Sequence, residues 1–276
     1  MSSPKPPSAS LGDFDLALPK AADAWFKRFL GLSELEKRYR DVRQSLATGA
    51  TAGDFCRVAS AALGTHARYE GVTIATLRKI SGPLLFVSNH PFGAVDALAL
   101  VALMSDVRAD YRFVANAILR ALPELAPVLV PIQVMGDTKS EKSRVMNAEA
   151  LLKMTRFLRD GGAVGMFPAG EVAELSSWVA RRTTDRKWHS HTGRIAQRTK
   201  ATVIPVDIAG ESSALFRYGG YAVPELRLAL LAREMLAPKG DVRVTVREPI
   251  LAVELAHLSA EEATSTMRAR VLGEGK

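Results

Sequence analysis

His90 and Asp96 are the residues of this sequence whose types and spacing most directly permit chemistry. They lie in FVSNHPFGAVDAL, residues 86–98. An apolar run ends at the His, Pro91 and Gly93 bend the chain, and Asp96 falls near the first turn of an expected helix, where the helix dipole favours a carboxylate. Asp96 is then placed to accept a hydrogen bond from one imidazole nitrogen, fixing the tautomer and leaving the other nitrogen as a base. Such a base takes the proton of an acceptor hydroxyl or amine as that group attacks an acyl carbonyl, with no acyl-enzyme. The bland alternative is a His at a helix start with Asp96 as its cap. A different chemistry rests on Ser212 in GESSA, a degenerate nucleophile-elbow pattern. It gives a serine esterase if Ser212 stands beside His90.

The elements that must position these residues alternate. Short β-branched or apolar runs at 84–87, 112–115, 128–132, 164–167, 203–208 and 243–246 read as strands. Helical patterns at 95–104, 139–159, 171–182 and 188–199 separate most of them. The alternation predicts an α/β fold, with a largely parallel central sheet flanked by helices. Ahead of it stands a helical N-terminal section. There Leu35, Tyr39, Val42 and Leu46 form a stripe at helical spacing, Ser33 and Glu36 have capping-box spacing, and a second helix runs from 52 to about 64. Gly161-Gly162 ends the 139–159 helix, and Ser259 with Glu262 opens the last one. The division expected is a disordered tail at 1–19, a helical section at 20–66 and an α/β domain at 67–276. In such folds ligands sit beyond the carboxyl ends of the strands. His90 follows one strand directly, and FPAGE, residues 167–171, follows another.

Three segments occur in order: NHPFGAVDA (89–97), GMFPAGEVAE (165–174) and VIPVDIAGESSALF (203–216). Together they resemble the superfamily of glycerol-phosphate and lysophospholipid acyltransferases. Asn89, His90 and Asp96 match its first block, Phe167 to Gly170 its Phe-Pro-x-Gly turn, and Ile204, Pro205 and Val206 its apolar-Pro-apolar strand. The resemblance covers residues 83 to 216, including FVANAILRALPELAPVLVPIQV between the first two blocks. Two departures are present: five residues rather than four separate His90 from Asp96, and Ala169 stands where the family carries Glu, with Glu171 two residues on. Both are similar to a bacterial branch labelled hemolysin-like or lyso-ornithine-lipid acyltransferase, and Ala169 points away from a glycerol-3-phosphate acceptor. The resemblance implies His90 as base and Asp96 as its orienter. Asn89, Phe167, Pro168, Gly170 and Glu171 would belong to the substrate-binding set, and Gly93 would give backbone room. The donor would be an acyl thioester of acyl carrier protein or coenzyme A, the acceptor a lysolipid or aminolipid, with no further cofactor.

Totals narrow the remaining classes. The 276 residues carry a formal charge of +8. No helix-turn-helix, zinc-finger or RNP-like signature directs that charge to nucleic acid, so an anionic membrane surface or anionic substrates are the expected partners. The first ten residues, MSSPKPPSAS, lack a signal-peptide core. The longest apolar run, 97–104, is far short of the ~20 residues that span a bilayer. A cytoplasmic protein, peripheral at the inner face of the membrane, is the expectation. Trp25, Phe26 and Phe29 among Lys20, Lys27 and Arg28 read either as a helix docked on the core or as a membrane contact. A non-catalytic membrane-surface protein, with His90 idle, is the third hypothesis. Cys56, the single cysteine, reads as a buried inert thiol. His189 and His191 lack the Cys, His or Asp companions of a metal site, so no metal is expected. The basic groups Lys139–Arg144 and Arg181, Arg182, Arg186 and Lys187 read as solvated surface, with phosphate or acceptor binding as their sharper alternatives.

Overall fold

The structure, a computed structural model, describes residues 31–133, 140–177, 183–222 and 227–274. The elements in chain order are α1 (Leu32–Ser45), α2 (Ala52–Ala62), β1 (Thr65–Gly71), α3 (Ile74–Leu77), β2 (Leu84–Ser88), α4 (Ala94–Val107), β3 (Tyr111–Asn116) and a 3-10 turn (Ala117–Ala121). There follow β4 (Leu129–Ile132), α5 (Glu141–Arg159), β5 (Ala163–Met166), β6 (Glu174–Leu175), β7 (Thr183–Thr184), α6 (His191–Thr199) and β8 (Thr202–Ile208). The chain continues through α7 (Ala214–Ala222), α8 (Arg227–Leu236), β9 (Gly240–Val246), α9 (Ala252–Leu255) and α10 (Ala260–Leu272).

Seven strands form one sheet in the order β1-β9-β8-β2-β5-β3-β4. Its pairs are parallel except β8 with β9. The central strand β2 (LLFVS) is buried along its whole length, as a strand covered on both faces must be. Side chains alternate across it: Leu84 and Phe86 enter the core shared with α1, α2 and α4, while Leu85 and Val87 enter the core shared with α5, α6 and α10. Helix α4 is apolar nearly all round, which requires burial on every side. It lies between the sheet and α2, and Leu100, Leu103 and Met104 are fully enclosed. Tyr39 and Val42 of α1 and Phe55 and Cys56 of α2 belong to the same core as α4. Burial pushes the Cys56 thiol pKa up, away from reactivity.

The α/β class and the six strand runs stand where the sequence placed them, with ends shifted by up to three residues. Several local expectations are corrected. Strand β1 was not foreseen; its residues alternate between half-buried and exposed at the sheet's edge, so its apolar signal is thin. It begins at Thr65, ahead of the division drawn at residue 67. The Ser33–Glu36 capping box does not form. Gly31 already accepts the Leu35 N–H at 2.9 Å, so Ser33 lies inside the first turn of α1. The Ser259–Glu262 box does form, and α5 ends at Asp160 ahead of Gly161. The helix expected at 171–182 does not form over 171–177, and residues 178–182 lie outside the described residues. The Ala173 N–H bonds to the His90 carbonyl rather than to a preceding turn, and β6 pairs antiparallel with β7. The Trp25, Phe26 and Phe29 stripe, the 1–19 tail, Lys139, Arg181 and Arg182 lie outside the described residues.

Candidate active site

The carboxyl end of β2 carries the first functional residues. Its ladder with β8 runs to the Ser88–Val206 pair. Asn89 then extends the pairing with its side chain: Nδ2 donates to the Ile208 carbonyl at 2.8 Å, and Oδ1 accepts the Ile208 N–H at 2.7 Å. Both polar ends of that amide are therefore spent on the backbone of β8.

The next residue, His90, places Nδ1 2.8 Å from Asp96 Oδ2. The same oxygen accepts the backbone N–H groups of Phe92 and Gly93, each at 2.8 Å. Asp96 is fully buried in the first turn of α4. Gly93, just ahead of that helix, has φ +91, and a Cβ there would stand 2.8 Å from Leu231. Only glycine takes that conformation readily, and it brings the peptide N–H onto the carboxylate. Sequence reasoning gave Gly93 the role of backbone room beside the substrate; in the structure its N–H meets the Asp96 carboxylate. A carboxylate can only accept, so in a neutral imidazole on this partner Nδ1 is the nitrogen that carries the hydrogen and Nε2 the one with the lone pair.

The imidazole is also held on its face. Phe167 stacks on it with ring centroids 3.9 Å apart and planes inclined by 10°, and Phe113 supports Phe167 edge-on at 5.8 Å. Phe167 follows β5, the strand beside β2, so the two loops meet at one edge. The FPAGE segment turns there: the Gly170 N–H returns to the Phe167 carbonyl at 3.0 Å, and the Pro168 carbonyl accepts the His189 N–H at 3.3 Å. Ala169, the departure from the family pattern, is buried. Glu171 is partly exposed and pairs with Arg186 at 3.3 Å; Arg186 also holds Glu174 at 2.6 Å.

Two features that the sequence did not single out as functional complete the surroundings. Asp185 Oδ1 accepts the backbone N–H of His90 at 3.1 Å, and its Oδ2 accepts Trp188 Nε1–H at 3.0 Å. Burial pushes the Asp185 carboxyl pKa up, while the bonds from Trp188 and His90 pull the other way. An Asp three residues before a Trp was the available signal, and it lay hidden beside a basic cluster. The second is not a residue but a space. An apolar cavity of about 200 Å³ is walled by α1, α2, α4, the 3-10 turn and α8, with Leu35, Phe55, Ala94, Ala97, Leu119 and Met235 among its lining. Ala94 and Ala97 flank Asp96 on the first turn of α4.

Other candidates do not converge. Ser212 is buried, and its Oγ has no hydrogen-bond partner. The serine-esterase reading needs a Ser212–His90 bond, and that bond is absent. Among the described residues, no three His, Cys, Asp or Glu side chains gather as a metal site would, His189 and His191 included. Lys187 pairs with Glu261 at the surface.

The acyltransferase family model matches residues 53–238, which include the dyad and the FPAGE turn. A lyso-glycine lipid O-acyltransferase of Bacteroides thetaiotaomicron is 26% identical over 200 residues, 72% of this chain and 66% of that protein. One of the same name from Phocaeicola vulgatus is 27% identical over 137 residues, 49% of this chain and 45% of that protein. The chain thus spans less than two thirds of the length of these relatives. The crystal structure of the 1-acyl-sn-glycerophosphate (LPA) acyltransferase PlsC from Thermotoga maritima shares the fold at TM-score 0.50 and 16% identity, over 95% of this chain and 84% of that one.

Proposed function

This chain belongs to the acyltransferase family, and on that premise we propose that it moves a fatty acyl group from a thioester to the hydroxyl of a lysolipid or lyso-aminolipid. One observation carries the reading: a buried carboxylate fixes the tautomer of His90 while standing between two alanines of an apolar cavity. The carboxylate that orients the base and two alanines of the apolar cavity then share one helical turn. The acceptor hydroxyl gives its proton to His90 Nε2 as its oxygen attacks the thioester carbonyl. The tetrahedral intermediate collapses, the carbon–sulfur bond breaks, and the imidazolium returns the proton to the departing thiolate. Asp96 stabilises the imidazolium, and the fatty chain occupies the cavity. Coenzyme A or acyl carrier protein supplies the thiol.

Phe167 serves the reaction by holding the ring plane. Pro168, Gly170 and Glu171 face the acceptor side, and Asn89 keeps the end of β2 in register. The names of the relatives support a lyso-aminolipid, of which a lyso-glycine lipid is the first to try. Its surface is a membrane, and the +8 charge supports peripheral attachment to an anionic leaflet on the cytoplasmic side. Among the described residues no helix is long and apolar enough to cross a membrane. The direct test incubates the protein with palmitoyl-coenzyme A or palmitoyl-acyl carrier protein and lyso-glycine lipid, with the diacyl product read by mass spectrometry. His90→Ala should lower the rate by ~10²–10⁴ without loss of fold. Full transfer by a folded His90→Ala protein removes the mechanism.

A further inference from the structure

We propose that Asp185, braced by the indole of Trp188, is a positioning residue for His90: its carboxylate pins the peptide N–H of His90 and thereby aims the imidazole. The inference rests on the reading of His90 as the base.

The main chain at His90 lies past the end of the sheet. The β2–β5 register stops at Val87–Met166 and the β2–β8 register at Ser88–Val206, so the His90 peptide has no ladder partner. Loops supply both partners instead. Asp185 takes its N–H at 3.1 Å, and Ala173 donates to its carbonyl at 2.8 Å. The first comes from the segment between β7 and α6, the second from the segment after FPAGE. With Nδ1 on Asp96 and one face on Phe167, the residue is held at its peptide N–H, its carbonyl, one ring nitrogen and one ring face.

Asp185 is itself built in. Its second oxygen is taken by the Trp188 indole at 3.0 Å, and Trp188 is a core residue only 3% exposed. Both of these partners are neutral donors, an arrangement that suits orientation. The charged groups that contact His90 among the described residues are Asp96 from α4 and Asp185 from the β7–α6 loop, and the Glu171–Arg186 pair joins the two loops. A displacement of about 1 Å in a reacting group is enough to cost ~10²-fold in rate, so a loosened His90 peptide has a large lever.

The test compares Asp185→Ala, Asp185→Asn, Trp188→Phe and the double variant Asp185→Asn/Trp188→Phe with wild type and with His90→Ala, all in the full chain. Palmitoyl-coenzyme A and lyso-glycine lipid are the kinetic probes, and hydrogen exchange of the His90 amide is a readout free of any substrate. Asp185→Ala should lower kcat by roughly 10–100-fold with KM within about twofold. It should also speed His90 amide exchange while leaving the Leu85 and Phe86 amides of β2 unchanged. Asp185→Asn puts an amide with one acceptor between two donors, and so loses activity. Trp188→Phe removes one of those donors, so the double variant should recover kcat above Asp185→Asn alone. A merely structural role would give losses that multiply. Unchanged kcat and unchanged His90 exchange in Asp185→Ala overturn the inference, as do multiplying losses in the double variant. If Asp185→Ala does not fold, the asparagine and double variants decide. Full activity in His90→Ala removes the base reading; loss there with Asp185→Ala intact removes only the role of Asp185.

Discussion

Asn89 and Ile208 exchange two hydrogen bonds, as a hydrogen-bonded pair of an antiparallel ladder does, although β2 and β8 run parallel and Asn89 uses its side chain. The amide ties the end of β2 to the end of β8 one step beyond the regular pairing. His90, the next residue, therefore starts from a fixed point. Asn89→Ala should leave the N–H and C=O of buried Ile208 unpaired and lower stability by ~1–3 kcal/mol. Urea unfolding measures it. A variant as stable as wild type, with only KM raised, would instead make Asn89 a substrate contact.

Ser212→Ala should retain acyl transfer, because the Ser212 hydroxyl is buried without a partner. Direct attack on the thioester leaves no acyl group on the protein. Intact-mass spectrometry after mixing with palmitoyl-coenzyme A should therefore show the unmodified chain. An adduct on Ser212, with loss of transfer in Ser212→Ala, would return the esterase reading.

Ala97 adjoins Asp96 and lines the apolar cavity. Replacing its methyl group by the isobutyl group of leucine takes space from a long acyl chain. Ala97→Leu should lower kcat/KM for palmitoyl-coenzyme A by about tenfold or more, at the scale of losing a few methylene contacts. Turnover of butyryl-coenzyme A should change far less. Equal losses with both donors would place the fatty chain elsewhere.

The cap of α2 predicts an acid-side stability change. The Thr51 backbone N–H and hydroxyl, then the Arg57 guanidinium, hold the Asp54 carboxyl down to about 2. A folded value below the unfolded one contributes stability that is complete above the unfolded value and lost as pH falls through the folded value. The stabilising share of Asp54 should thus fade between roughly pH 4 and pH 2. Asp54→Asn should flatten that part of the curve of urea midpoint against pH. A curve parallel to wild type would show that the cap does not titrate with folding.

The sequence made the sheet's centre legible because β2, β5 and β8 are short apolar runs bounded by turn residues, a pattern local in the chain. His90 and Asp96 were legible for the same reason, with both partners inside one short loop. Asp185 was not. It reaches a peptide 95 positions away, and no spacing rule connects them. The Asn89 amide spans 119 positions, so the sequence marked the residue but not what it holds. The described part of the 171–182 stretch, residues 171–177, misled for a related reason. Its helical pattern is overruled by the bond from Ala173 to His90 and by Arg186 drawing Glu171 and Glu174 across the hairpin. The cavity, assembled from five separate elements, has no sequence signature at all.

Among the described residues, strand β1 has β9 as its one neighbour in the sheet, and that gives the molecule a schedule. Paired residues of the two strands, such as Glu70 and Thr245, stand 175 positions apart. At ribosomal speed that interval is on the order of ten to thirty seconds. Throughout it β1 waits without a strand to join, whereas Tyr39, Val42 and Phe55 gain cover once α4 is made. The wall from α8 comes only shortly before β9. An unpaired strand is prone to aggregate, and a chaperone that shields residues 65–71 would act in the window that this topology opens.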